Sequence, residues 1–87
     1  MKVFNERILN GGIQKQYKFD NGYGASVVRH NGSFGNKEGL WELAVLKWND
    51  KGKYNLDYST GITDDVIGYL NGQEIDAILK RIEALEK

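Results

Sequence analysis

The chain has 87 residues, 12 basic and 12 acidic side chains, one histidine, no cysteine and no proline. That length fits one domain, and the missing thiols exclude disulfides, zinc–thiolate centres and cysteine nucleophiles. The balanced charge lacks both the basic excess of a typical nucleic-acid binder and the acidic excess of a nucleic-acid mimic.

An apolar fraction of 40% with 11% aromatics indicates a folded rather than a disordered chain. Met1 to Arg7 contains no apolar stretch of signal-peptide length, and no apolar run approaches the ~20 residues that span a bilayer. The expectation is a soluble, intracellular domain covering residues 1–87, with no membrane partner.

The first two thirds read as strands, over about 3–9, 13–20, 23–30, 40–48 and 53–59. Val3 to Leu9 alternates weakly, and Asn10-Gly11-Gly12 follows it as a hairpin turn tolerant of positive φ. Ile13, Tyr17 and Phe19 share one face of the second strand, with Lys15 interrupting it. Asp20-Asn21-Gly22 is the strongest turn signal, because Asn-Gly fits a type I′ corner. In the third strand, small residues at Gly24, Ala25 and Ser26 predict close packing of another element or a bulge.

Asn31 to Gly39 is a longer polar connection. Leu40 to Trp48 is apolar on both faces, as in a central strand, and Asn49-Asp50-Lys51-Gly52 is another hairpin turn. Tyr54, Leu56 and Tyr58 alternate with polar residues in a half-buried strand. Thr63 as N-cap, with Asp64 and Asp65 in the first turn, predicts a short helix over about 63–70. Asn71 and Glu74 form a capping-box pair, and Ile75, Ile78, Leu79, Ile82 and Leu85 place an apolar stripe on a second helix over about 72–86. The fold class is therefore α+β: a four- to five-stranded antiparallel meander, a short helix, and a C-terminal amphipathic helix packed on one sheet face. A charge at Ile78 is expected to unfold it, whereas Lys80→Glu should matter little.

Candidate chemistry is sparse. The glycines around Tyr23 lie between strand-like segments, whereas a dinucleotide fingerprint leads from strand to helix, so they read as turns. His30 has Ser26 and Ser33 nearby in sequence but no orienting acid placed by the pattern. Asp57, Asp64 and Asp65 read as helix capping and a solvated strand face in preference to a cation site. Trp41 and Trp48 are an odd number of residues apart, so a regular strand sends them to opposite faces and only one lies under the helix. Arg29, His30, Phe34, Lys37 and Trp41 then make a candidate binding surface at one end of the sheet, for a protein or for unpaired bases. No catalytic residue, metal ligand or cofactor site is assigned.

Three segments, Tyr17 to Arg29, Gly39 to Leu46 and Ile62 to Leu70, together resemble a family of small uncharacterised proteins of tailed bacteriophages and prophages, over roughly residues 13–85. That resemblance implies action in the cytoplasm of an infected or lysogenic bacterial host, and brings no site residues with it. The expectation is a non-enzymatic accessory protein that binds and modulates or inhibits a host or phage protein, such as a defence or nucleic-acid-processing enzyme. A single-strand nucleic-acid-binding accessory protein is the alternative. A homodimer is a further expectation, since a small domain with strands apolar on both faces gains stability by self-association.

Overall fold

The computed structural model describes residues 2–63 and 65–86. Its strands are β1 (Asn5–Leu9), β2 (Gly12–Lys18), β3 (Tyr23–Arg29), β4 (Trp41–Trp48), β5 (Tyr54–Leu56) and β6 (Ile67–Leu70), followed by one helix, α1 (Gly72–Glu83). A single 3-10 turn, Asn36–Glu38, interrupts the connection from β3 to β4. This is an α+β fold in which every strand pairing is antiparallel.

The first four strands form a meander, β1-β2-β3-β4. The far side of β4 is shared: β5 pairs with Leu46 to Trp48, and β6 pairs with Trp41 to Leu43. Both run against β4, so one edge position is filled twice, with the chain looping out between them. The expected helix over 63–70 is therefore corrected: Ile67–Leu70 is a strand. Val66, Ile67, Tyr69 and Leu70 fit either period in so short a window, and the unfilled edge of β4 decides in favour of strand. Thr63 is not a helix cap: it is 4% exposed and its hydroxyl has no hydrogen-bond partner among the described residues. Of its expected first-turn partners, Asp64 lies outside the described residues.

The turns exchange roles relative to expectation. Asn10 and Gly11 both have positive φ, 48° and 75°, as a type I′ corner requires. At the β2–β3 turn only Gly22 does, at 86°. There the Gly22 amide bonds the Phe19 carbonyl and the Phe19 amide bonds the Tyr23 carbonyl. That is a type I turn closed by a left-handed glycine. The Asn21 side chain is engaged elsewhere: its amide nitrogen donates to the carbonyls of Ile82, Glu83 and Leu85, capping the C-terminal end of α1.

Helix α1 begins with a complete capping box between Asn71 and Glu74. Its buried residues are Ile75, Leu79 and Ile82. They pack on Tyr17, Ala25, Val27, Leu43, Val45 and Leu70, with Ile78 and Leu85 only partly buried at the margin. Full burial of each of the three aliphatics is worth roughly 1.5–3 kcal/mol before entropy. The centre of the stripe is thus Leu79 and Ile82 rather than Ile78, and this corrects the expectation that a charge at Ile78 unfolds the domain.

The opposite face carries no helix. Alternation sends Gln14, Gln16, Ser26, Ala44, Leu46 and Trp48 to it, and all are buried. The polar members satisfy one another. Gln14 donates to Ser26 Oγ, Gln16 to Gln14 Oε1 and Tyr54 Oη, and Arg7 Nε donates to Gln14 Oε1. Trp48 lies on this face, its indole N–H donating to the Tyr17 carbonyl at 3.0 Å, and Phe4 and Tyr54 pack against its ring. Gly24 leaves room for that indole, since a Cβ there would stand 2.7 Å from Trp48 Nε1. Trp41 lies half-buried on the helix side, so the odd spacing of the two tryptophans does separate them. No helix among the described residues is long and apolar enough to cross a membrane.

Candidate interaction surface

The end of the sheet where β4 begins is built around an irregular pairing. Trp41 pairs with Leu70 and Leu43 with Ile67, so Glu42 faces two residues, Gly68 and Tyr69. The extra residue makes a β-bulge, and Tyr69 takes the left-handed conformation at φ 59°. Left-handed backbone costs a residue with a Cβ about 1–2 kcal/mol, which is why glycine is its usual occupant. The Tyr69 ring stays 59% exposed, so core burial does not offset that cost.

The β3–β4 connection locks onto the bulge. The Tyr69 amide donates to the Phe34 carbonyl at 3.3 Å, and the Phe34 amide donates to Glu42 Oε1 at 3.2 Å. A side chain at Gly68 would collide with Phe34 Cβ. Gly35 has φ 92°, and a Cβ on it would sit 2.9 Å from the Tyr69 Cα. Two glycines thus bring the loop and the strand together by backbone contact. Phe34, 56% exposed, and Tyr69 line one hollow of about 490 Å³ with Asn31, Lys37 and Glu38.

Of the five sequence-predicted residues, Phe34 and Lys37 stand here. Arg29 and Trp41 form a separate pair on the helix side. The Arg29 guanidinium carbon lies 4.6 Å from the Trp41 ring centroid, and the Lys15 amine is 5.0 Å from the same ring. The apparent interruption of the apolar face by Lys15 is therefore a cation–π contact. Arg29 Nη1 also donates to the Gly39 carbonyl at 3.4 Å. Beside this pair, burial, reinforced by Asp76 and Glu6, pushes the Tyr17 phenol above its usual pKa.

His30 belongs to a tight turn. Its amide donates to Ser33 Oγ, the Ser33 hydroxyl donates to the His30 carbonyl, and its Nδ1 lies 2.9 Å from the Asn31 carbonyl. Ser26 is bonded to Gln14 on the face opposite α1. Asp57 accepts from Ser59, and Asp65 from the Val66 amide, so each carboxylate organises its own loop. The surface thus offers aromatic and neutral polar contact with one cation, Lys37, and one carboxylate, Glu38.

Sequence reasoning missed Tyr69 because it lay in a segment read as helix. The available signal was Gly68 inside an apolar, β-branched run, which in a strand marks a bulge. Comparison of the chain with protein-family models, curated proteins and solved structures finds no match.

Proposed function

We propose that this chain is a non-enzymatic binding protein that docks another protein on the surface made by Phe34 and Tyr69. One observation carries the reading. Tyr69 holds a costly left-handed backbone at a position where glycine would be unstrained, while its ring stays in solvent. Strain of this kind persists where the side chain has a task outside the fold. Aromatic anchors rimmed by polar groups fit protein recognition, and a surface fixed by backbone contacts needs little ordering on binding. The sequence resemblance supplies the setting: an accessory protein of a phage or prophage that modulates or inhibits a host or phage protein in the bacterial cytoplasm.

The test is affinity capture from bacterial lysate with the wild-type chain, Tyr69→Gly and Phe34→Ala in parallel. A captured protein that disappears with both variants, while each remains folded by circular dichroism, supports the proposal. Equal capture by all three chains overturns it.

A further inference from the structure

A second groove lies at the margin of the sheet face opposite α1, beside buried Trp48. Phe4 and Tyr54 stand against buried Trp48, with ring centroids 5.3 and 5.0 Å away and ring planes tilted 68° and 62° to the indole. Trp48, 8% exposed, makes the floor and the two outer rings the walls. The groove between strand and turn holds about 410 Å³, and its charged lining residues are Arg7 and Lys53, with no carboxylate. In a chain whose charges cancel, this is an open, locally cationic groove with aromatic walls.

Arg7 is held by a neutral amide, its Nε donating to Gln14 Oε1 at 2.6 Å. That bond fixes the guanidinium plane and leaves the two terminal nitrogens to donate to a ligand. The other polar lining is amide, from Asn5 and Gln16, joined by Asn5 Nδ2 donating to Gln16 Oε1. Beyond Phe4, the Lys18 amine stands 5.4 Å from the Phe4 ring and 5.5 Å from the Trp48 ring. The adjoining hollow carries Asp20 and Asp50, so the cationic region ends at Phe4.

We infer that this groove binds a nucleotide unit, its base against the Phe4 and Tyr54 rings and its phosphate on Arg7 and Lys53. A planar ring meets the aromatic walls, an anion meets the two cations, and the exposed Asn5 amide meets a polar base edge. An acidic peptide shares only the anion, and an apolar peptide only the rings. The unit has two sources, a free nucleotide or a single strand.

The probes are uridine monophosphate, an oligo(dT) hexamer, inorganic phosphate and an oligo-glutamate peptide. Each is titrated into the full-length protein at low salt, following the indole N–H resonances of both tryptophans. The expected result is a saturable shift of the Trp48 resonance, with that of Trp41 on the other face unmoved. Phe4→Ala should weaken binding by about 5- to 150-fold, the range of one base–aromatic stack. Arg7→Gln should lower the logarithmic salt slope for the oligomer by about 0.7, one phosphate contact on a single strand. Binding of the mononucleotide supports a site for free nucleotides, and binding of the hexamer alone supports a site for a strand. No shift with either nucleotide probe, equal binding of oligo-glutamate or phosphate, or affinities unchanged in both variants would overturn the inference.

Discussion

Gly35 and Tyr69 meet backbone to backbone, so closely that a methyl group on the glycine would stand 2.9 Å from the tyrosine Cα. The contact joins two segments far apart in sequence and sets where both exposed aromatic rings stand. Gly35 also has φ 92°. Gly35→Ala therefore combines a left-handed alanine with a collision against backbone, and should lower stability by about 1–3 kcal/mol. Gly39→Ala is the control, since Gly39 has φ 72° but open space around its missing Cβ. It should lose only about 1 kcal/mol. Urea denaturation of the two variants measures the difference, and equal losses would show that the Gly35–Tyr69 contact is not tight.

The strain at Tyr69 has a signature of its own. In an ordinary strand, glycine is less stable than alanine by roughly 0.5–1 kcal/mol. At φ 59° the order should reverse, because glycine alone reaches that backbone without a Cβ penalty. Tyr69→Gly should therefore be more stable than Tyr69→Ala by about 1 kcal/mol in chemical denaturation. The opposite ranking would remove the strain argument, and with it the main support for a binding role.

The parts of this architecture written in local chemistry were legible from the sequence. The alternation in β2 to β4 and the stripe of α1 depend on which side of one element faces the core. So do the capping box of Asn71 and Glu74 and the opposite faces of Trp41 and Trp48. The half-buried strand expected over 53–59, by contrast, shrinks to Tyr54–Leu56, with Leu56 and Tyr58 exposed. The errors fell where a distant partner decides. Ile67–Leu70 is a strand because the edge of β4 is open to it. Asn21 leaves the type I′ form it favours locally, and its side chain reaches carbonyls 61 to 64 residues away. The surface was half legible for the same reason: an aromatic in a polar loop marks Phe34, but Tyr69 joins it only through the bulge.

The margin and centre of the α1 stripe can be told apart by truncation. Leu79 is 1% exposed within the central cluster, whereas Ile78 is only partly buried beside it. Leu79→Ala should cost about 2–5 kcal/mol, the range for a large-to-small change in a closed core. Ile78→Ala should cost about 1 kcal/mol, since its neighbours and solvent can fill the space. Thermal unfolding of both variants is the measurement. A larger loss at Ile78 would mean that the helix is rotated about its axis from the orientation described.

Asp57 gives a local test in pH. Its carboxylate accepts from the Ser59 hydroxyl and the Ser59 amide, and Lys47 adds attraction, so its pKa lies below the ordinary 3.8. A folded-state pKa below the unfolded one means that this stabilisation is complete above the unfolded value. It is lost as pH falls through the folded one. The group is partly exposed in a surface loop, so its effect on global stability is small and screened by salt. Ser59→Ala should raise the Asp57 titration midpoint, followed by carboxyl NMR shifts, with little change in stability at neutral pH. A midpoint unmoved by the substitution would assign the shift to the Ser59 amide and Lys47 instead.

Asn21 ties the β2–β3 turn to the end of α1, and replacing its amide by a carboxylate probes that link. The Asn21 nitrogen lies 2.9 Å from the Ile82 carbonyl, 3.1 Å from that of Glu83 and 2.9 Å from that of Leu85, while Oδ1 accepts from the Tyr23 amide. Asn21→Asp keeps the acceptor but sets a negative charge against three carbonyls at the negative end of a helix. At neutral pH the loss should be about 2–3 kcal/mol, that of unmade bonds plus repulsion. Protonating the new carboxyl restores a donor, so its folded-state pKa lies above its unfolded one. The variant's deficit should then be full above the folded value, shrink as pH falls from there towards the unfolded one, and be smallest below it. Urea midpoints for wild type and Asn21→Asp at pH near 3 and near 7, each compared within one buffer, measure the change. A deficit of equal size at both would mean that the turn and the helix end are not joined through this side chain.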